Sequence, residues 1–248
     1  MTNPIRPSNP PAPLLGLVAL VASALCLPAS ADTEKTGKHL FILSGQSNMT
    51  GTVRDAFANR VQKCFGEENA VVVMRMKSGR GIRFWVADYR QPNDRGLTDK
   101  KMSSNGEDYK PLIEAALAAA KDTAFDTVGF IWMQGESDAN NRLSEVYEES
   151  FVKLIDQLEK DLGRDDLYFV IGRINDYARS RPDNGHWHSV RESQVKLGNT
   201  SGNAWIDTDD LNGGDPDHPD GDIHFPKDGA VNLGQRFADK AIKLIDKQ

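Results

Sequence analysis

Leu40-Phe41-Ile42-Leu43, preceded by His39, runs directly into Ser44-Gly45-Gln46-Ser47-Asn48-Met49. An unbroken apolar run without alternation is the pattern of a strand covered on both faces, as in a parallel sheet. The glycine-containing stretch after it reads as a tight turn that holds a serine hydroxyl near backbone N–H groups. Working outward, comparable runs occur at Ala70–Met76, Thr127–Met133, Leu167–Ile174 and Ala204–Asp207. Helical stretches separate them. Pro111 suits a first helical turn ahead of an alanine-rich run. Ser144 reads as the cap of a helix whose Tyr147, Phe151, Leu154, Ile155, Leu158 and Leu162 form one stripe, closed by Gly163. A last helix is expected from about Gly229. Five βα units without internal repeats predict a three-layer α/β/α sandwich around a central, mostly parallel five-stranded sheet. Ligands in such sheets bind at the carboxyl ends of the strands, so residues just after each strand are the candidates for chemistry.

Composition agrees with a folded, catalytic or binding domain. Of 248 residues, 39% are hydrophobic, too many for a disordered chain. The net charge of -6, without a basic run, argues against a nucleic-acid partner, whose binding depends on neutralising phosphates. At the N-terminus, Leu14 to Leu27 is almost wholly apolar and is followed by Ala29-Ser30-Ala31, a small-x-small cleavage pattern. That run is shorter than the roughly 20 residues of a spanning helix. Residues 1–31 therefore read as a signal peptide and 32–248 as one domain, secreted or periplasmic, with no membrane association after cleavage. Cleavage leaves Cys64 as a lone thiol, which fits a bacterial exported protein without disulfides.

Three strand-end segments carry candidate chemistry. Ser47 follows the first strand. Gln134, in Trp132-Met133-Gln134-Gly135-Glu136-Ser137-Asp138, follows the third and offers a side-chain amide. His224 stands in Asp220-Gly221-Asp222-Ile223-His224-Phe225, just before the last helix. Ser, acid and His in this arrangement suit nucleophilic acyl transfer, although order alone does not prove a triad.

Together these blocks resemble the SGNH-type hydrolases, a flavodoxin-like architecture, and most closely the branch of sialate O-acetylesterases and carbohydrate esterase family 6 acetyl xylan esterases. Ser78-Gly79-Arg80-Gly81-Ile82-Arg83-Phe84-Trp85 and Trp187 through Val190-Arg191-Glu192-Ser193-Gln194 extend the resemblance to about residues 39–245. It implies a serine esterase removing O-acetyl groups from carbohydrate, with Ser47 as nucleophile and His224 as general base. The oxyanion hole would comprise the Ser47 and Gly79 N–H groups and the Gln134 amide. The family spacing Asp-x-x-His would put the acid at Gly221. Asp222, Glu136 and, behind them, Asp220 are the alternatives, as is a Ser–His dyad. Rival functions are hydrolysis of small non-carbohydrate esters and non-catalytic carbohydrate binding.

Other residues have plainer readings beside the functional ones. Arg80 and Arg83 suit either an anionic substrate group or a soluble surface. Trp85, Trp187 and Tyr177 suit either sugar stacking or the core. The aspartate-rich stretch 207–222 suggests calcium, but counting from Asp215 puts Pro219 and Pro226 where a calcium loop needs ligands. His186, His188 and His218 lack the ligand cluster of a zinc site. No metal and no cofactor is expected, and the protein is expected to be a monomer or weak dimer.

Overall fold

The computed structural model describes residues 1, 37–92, 104–178, 184–213 and 222–247. The chain divides into two units, residues 1–33 and 34–248. The signal-peptide reading, half of the calcium stretch (214–221), His218 and Asp220 lie outside the described residues.

Five strands form one sheet: β1 (His39–Gly45), β2 (Ala70–Met76), β3 (Thr127–Met133), β4 (Tyr168–Gly172) and β5 (Ala204–Ile206). Their order is β2-β1-β3-β4-β5, and every pairing is parallel rather than mostly so. The helices are α1 (Gly51–Phe65), α2 (Tyr109–Ala120), the short α3 (Glu136–Asn140), α4 (Tyr147–Leu162), α5 (Gly185–Gly198) and α6 (Lys227–Ile245). Helices α1 and α6 pack together on one face; α2, α4 and α5 cover the other. Phe41 of β1 stacks edge-on against Phe57 of α1 at 5.2 Å, whereas Phe130 and Trp132 of β3 meet Phe151 of α4 on the opposite face. β1 and β3 are buried along their whole length, which is why their sequences do not alternate. The result is a three-layer α/β/α sandwich.

Two details differ from the sequence reading. β1 continues through Ser44 and Gly45, because both still pair with β2 and β3, so the turn begins only at Gln46. Gly45 has φ of +146°, and a Cβ there would collide with the Met133 carbonyl; only glycine lets the two central strands finish side by side. Ser144 does not cap α4. It opens a single 3-10 turn, Ser144–Val146, and its hydroxyl lies 2.7 Å from His186 Nδ1. Gly163 does close α4, in the left-handed conformation at φ of 65°.

The strand order reverses between β1 and β3. The chain leaves β1 toward β2 on one side and returns to β3 on the other, which opens a crevice at their carboxyl ends.

Candidate active site

The turns after β1 and β3 are joined by main chain, since Gln46 N–H donates to the Met133 carbonyl at 2.9 Å. Beside this junction lies a cleft of about 300 Å³, lined by Ser47, Gly79, Glu136, Asn140, Ile223 and His224 among others. Ser47 Oγ and His224 Nε2 are 3.1 Å apart. With the ring proton assigned to Nδ1, the serine hydroxyl donates to Nε2, the arrangement of a nucleophile and its base. The pair joins residues 177 positions apart.

The N–H groups of Ser47 and Gly79 have no partner among the described residues. Gly79 has φ of +71° and open space where a Cβ would sit, so glycine serves the left-handed turn rather than a close approach. These two donors can face an oxyanion at the cleft.

Gln134 does not join them, which corrects the sequence expectation. Its side chain is fully buried, and its amide donates to Asp138 Oδ2 at 2.5 Å and to the Arg80 carbonyl at 3.1 Å. The amide fastens the loop after β2 to the turn after β3 and does not line the cleft. Trp85 and Arg80 are also corrected as substrate-binding residues. Trp85 is wholly buried and packs edge-on against Trp132 at 5.1 Å. Arg80 is engaged by Glu107 at 2.5 Å and Asp108 at 3.3 Å. Arg83 lies over the Phe84 ring at 3.7 Å. Trp187 is buried, with its indole N–H on the Asn175 carbonyl.

The two described carboxylate candidates differ in kind. Asp222 is exposed, and its Oδ1 accepts from the His224 backbone N–H at 3.1 Å. The same oxygen is 4.0 Å from His224 Nδ1, too far for a hydrogen bond to the ring. Glu136 lies in the floor of the cleft, wholly buried. Oε1 accepts from Asn48 Nδ2 at 2.7 Å, and the buried Oε2 has no hydrogen-bond partner among the described residues. Burial pushes its carboxyl up to about 7. Asp138, also buried and pushed up to about 6 by desolvation, accepts from the Ile82 N–H at 2.8 Å as well as from Gln134.

Asn48 was missed as a site residue, although it adjoins Ser47. It is buried and makes three hydrogen bonds, using both of its amide donors. Nδ2 donates to Glu136 Oε1 and, at 2.9 Å, to the Ile223 carbonyl; Oδ1 accepts from the Phe225 N–H at 3.3 Å. It thus grips the chain on both sides of His224. Asn175, after β4, adds bonds to the Asp222 and Ile223 carbonyls at 3.1 and 3.3 Å. The sequence signal was a polar residue amid buried neighbours, Ser47-Asn48-Met49, in a turn too tight to leave its amide in water. Behind the floor, Gln194 donates to the Gln134 carbonyl at 2.8 Å and accepts from the Ile174 N–H at 2.8 Å.

Among the described residues no group of three His, Cys, Asp or Glu side chains is gathered as a metal site would need, and no helix is long and apolar enough to cross a membrane.

Comparison with known proteins agrees with the fold. A protein from Arabidopsis thaliana superposes with a TM-score of 0.61 at 18% identity, over 84% of this chain and 99% of that one. A carbohydrate acetylesterase from Xanthomonas citri gives 0.62 at 19% identity, over 86% of this chain and 57% of that one. Another carbohydrate acetylesterase, from Sinorhizobium meliloti, gives 0.52 at 18% identity, over 84% and 99%. At these identities the likeness establishes the shared fold. No curated protein matches the sequence significantly. The sequence profile of the family described as "carbohydrate esterase, sialic acid-specific acetylesterase" matches residues 53–243, well over half of the chain. With a serine and a histidine in contact at the switch point of its sheet, the chain belongs to that family of SGNH-type carboxylic ester hydrolases.

Proposed function

We propose that this protein is an exported carbohydrate O-acetylesterase, secreted or periplasmic, that works as a monomer or weak dimer. The observation that carries the chemistry is the 3.1 Å contact between Ser47 Oγ and His224 Nε2. As Ser47 Oγ attacks the acetyl carbonyl, its proton passes to Nε2. The negative charge on the carbonyl oxygen falls to the Ser47 and Gly79 N–H groups, each such donor being worth about 3 kcal/mol in comparable hydrolases. Collapse expels the sugar oxygen, which takes the proton from the imidazolium and leaves acetyl-Ser47. Water, deprotonated by His224, then attacks the acyl carbon; acetate departs and Ser47 regains its proton. The Asp222 carboxylate, 4.0 Å from Nδ1, accepts from the His224 backbone N–H and so holds the segment that carries the ring.

The cleft suits a small acyl group on a polar alcohol. Ser78, Ser137, Asn140 and Asn141 line it beside the catalytic pair. Asn141 Nδ2 is fixed on the Ser137 carbonyl at 2.6 Å, whereas the exposed Asn140 amide is left for ligand hydroxyls. Acetate release from acetylated xylan, 9-O-acetylated sialic acid and an aryl acetate, each against a Ser47→Ala control, tests the proposal. Serine-dependent release from a glycan is the expected result. Release from the aryl ester alone would reassign the enzyme to small non-carbohydrate esters.

A further inference from the structure

A second, larger hollow of about 640 Å³ lies between β5 and the C-terminal half of α6. Helix α6 starts just after His224, at the carboxyl ends of the strands, and runs back along the sheet. The hollow therefore leads away from the catalytic cleft. Its wall carries Lys240 and Lys243 of α6 and, just past the helix, Lys247; Trp205 of β5 forms part of the other side.

The charges are unevenly resolved. Both carboxylates in the lining are matched by arginines: Asp207 by Arg173 at 2.5 Å and Asp239 by Arg60 at 2.7 Å. Arg236 is matched by Asp210. No carboxylate among the described residues pairs with the three lysines. The hollow is thus a cationic strip on a chain whose net charge is -6. Lys240 and Lys243 sit three residues apart on α6, and Lys247 follows just past the end of the helix. Trp205 is half-buried, with its indole N–H on Asn199 at 3.2 Å and Arg173 5.0 Å over its ring, so it is held as a fixed wall.

We infer that this groove is a polysaccharide-holding site for a glycan bearing a carboxylate on successive sugar units, with Lys240, Lys243 and Lys247 meeting the carboxylates. It rests on the reading of the protein as a carbohydrate esterase and adds to it a holding site remote from Ser47. An acidic glycan is favoured over duplex nucleic acid because an aromatic wall, Trp205, lines the hollow together with the lysines.

The test is binding of a long oligogalacturonate to the full chain, compared with the Lys240→Ala/Lys243→Ala/Lys247→Ala triple variant. The expected result is salt-sensitive binding that weakens about tenfold or more in the variant, the loss of three exposed charge contacts. Turnover of a small aryl acetate, which never reaches the groove, stays at the level of the unsubstituted protein. Three results would each overturn the inference: equal binding by the variant, equal binding of a neutral glycan of the same length, or equally tight binding of duplex DNA. The carbohydrate-esterase reading fails separately, through absent Ser47-dependent acetate release from glycans, so the two failures are distinguishable.

Discussion

On the floor of the cleft, Glu136 and Asp138 are wholly buried and tied to neighbouring segments by Asn48, Gln134 and the Ile82 N–H. On the rim, the side chains of His224 and Asp222 are 59% and 72% exposed, and the groups that do the chemistry meet in water. The floor keeps its geometry because each buried polar group left without its partner costs about 1–3 kcal/mol. The rim has no such reinforcement of its own and depends on Asn48 and Asn175, which hold the His224 segment from below. Changes at the rim should therefore alter rate without stability, and changes at the floor should alter both.

The largest expected effect is at the rim. His224→Ala should lower kcat by about 10²–10⁴-fold, the usual worth of a positioned general base, with no loss of melting temperature. Near-full activity in that variant would remove the histidine from the mechanism. Asn48→Ala should cross the divide, lowering kcat by about tenfold or more while destabilising the fold by at least about 1–3 kcal/mol, because it strips partners from Glu136, Ile223 and Phe225 together. A loss of rate with unchanged thermal unfolding would show that floor and rim are not joined through this amide.

A smaller effect concerns pH. Burial raises the Glu136 and Asp138 carboxyls to about 7 and about 6, above their values in the unfolded chain. The folded protein then binds more protons than the unfolded one between the ordinary carboxylate range and about pH 7. The stability from these groups is complete at the acid end of that window and declines as pH rises through it. Glu136→Gln should flatten the decline, as read from melting temperatures across the window; a slope identical to that of the unsubstituted protein would mean that Glu136 does not titrate there. The smallest change is expected for Asp222→Asn. An exposed carboxylate 4.0 Å from the ring is screened by solvent, so kcat should fall less than about tenfold. A larger fall would mean that Asp222 closes onto Nδ1 during turnover.

The same division governs what was legible in the sequence. Apolar runs located all five strands; in β1, β3 and β4 burial on both faces leaves a simple mark, and the partly buried edge strand β2 keeps a valine-rich run. Position after a strand made Ser47 a candidate, and the resemblance of the motif blocks to a known family singled out Ser47 and His224. Position does not say which partner takes a side chain's donors. Gln134 stands at a strand end as expected, yet the Asp138 carboxylate four residues on takes its amide. Trp85 and Arg80 failed for the same reason, one filled by Trp132 and the other neutralised by Glu107 and Asp108. Asn48 and Asp138 went unread because a polar side chain looks alike in sequence whether it faces a ligand or ties two loops together.

The 177-residue span between Ser47 and His224 also sets a schedule. A chain emerging from its N-terminus presents the nucleophile well before its base, which lies on the segment that leads into α6. Until α6 docks beside α1 and carries that segment into place, Ser47 has no neighbour to take its proton. The catalytic pair is thus assembled by the same packing that seats α6 against α1.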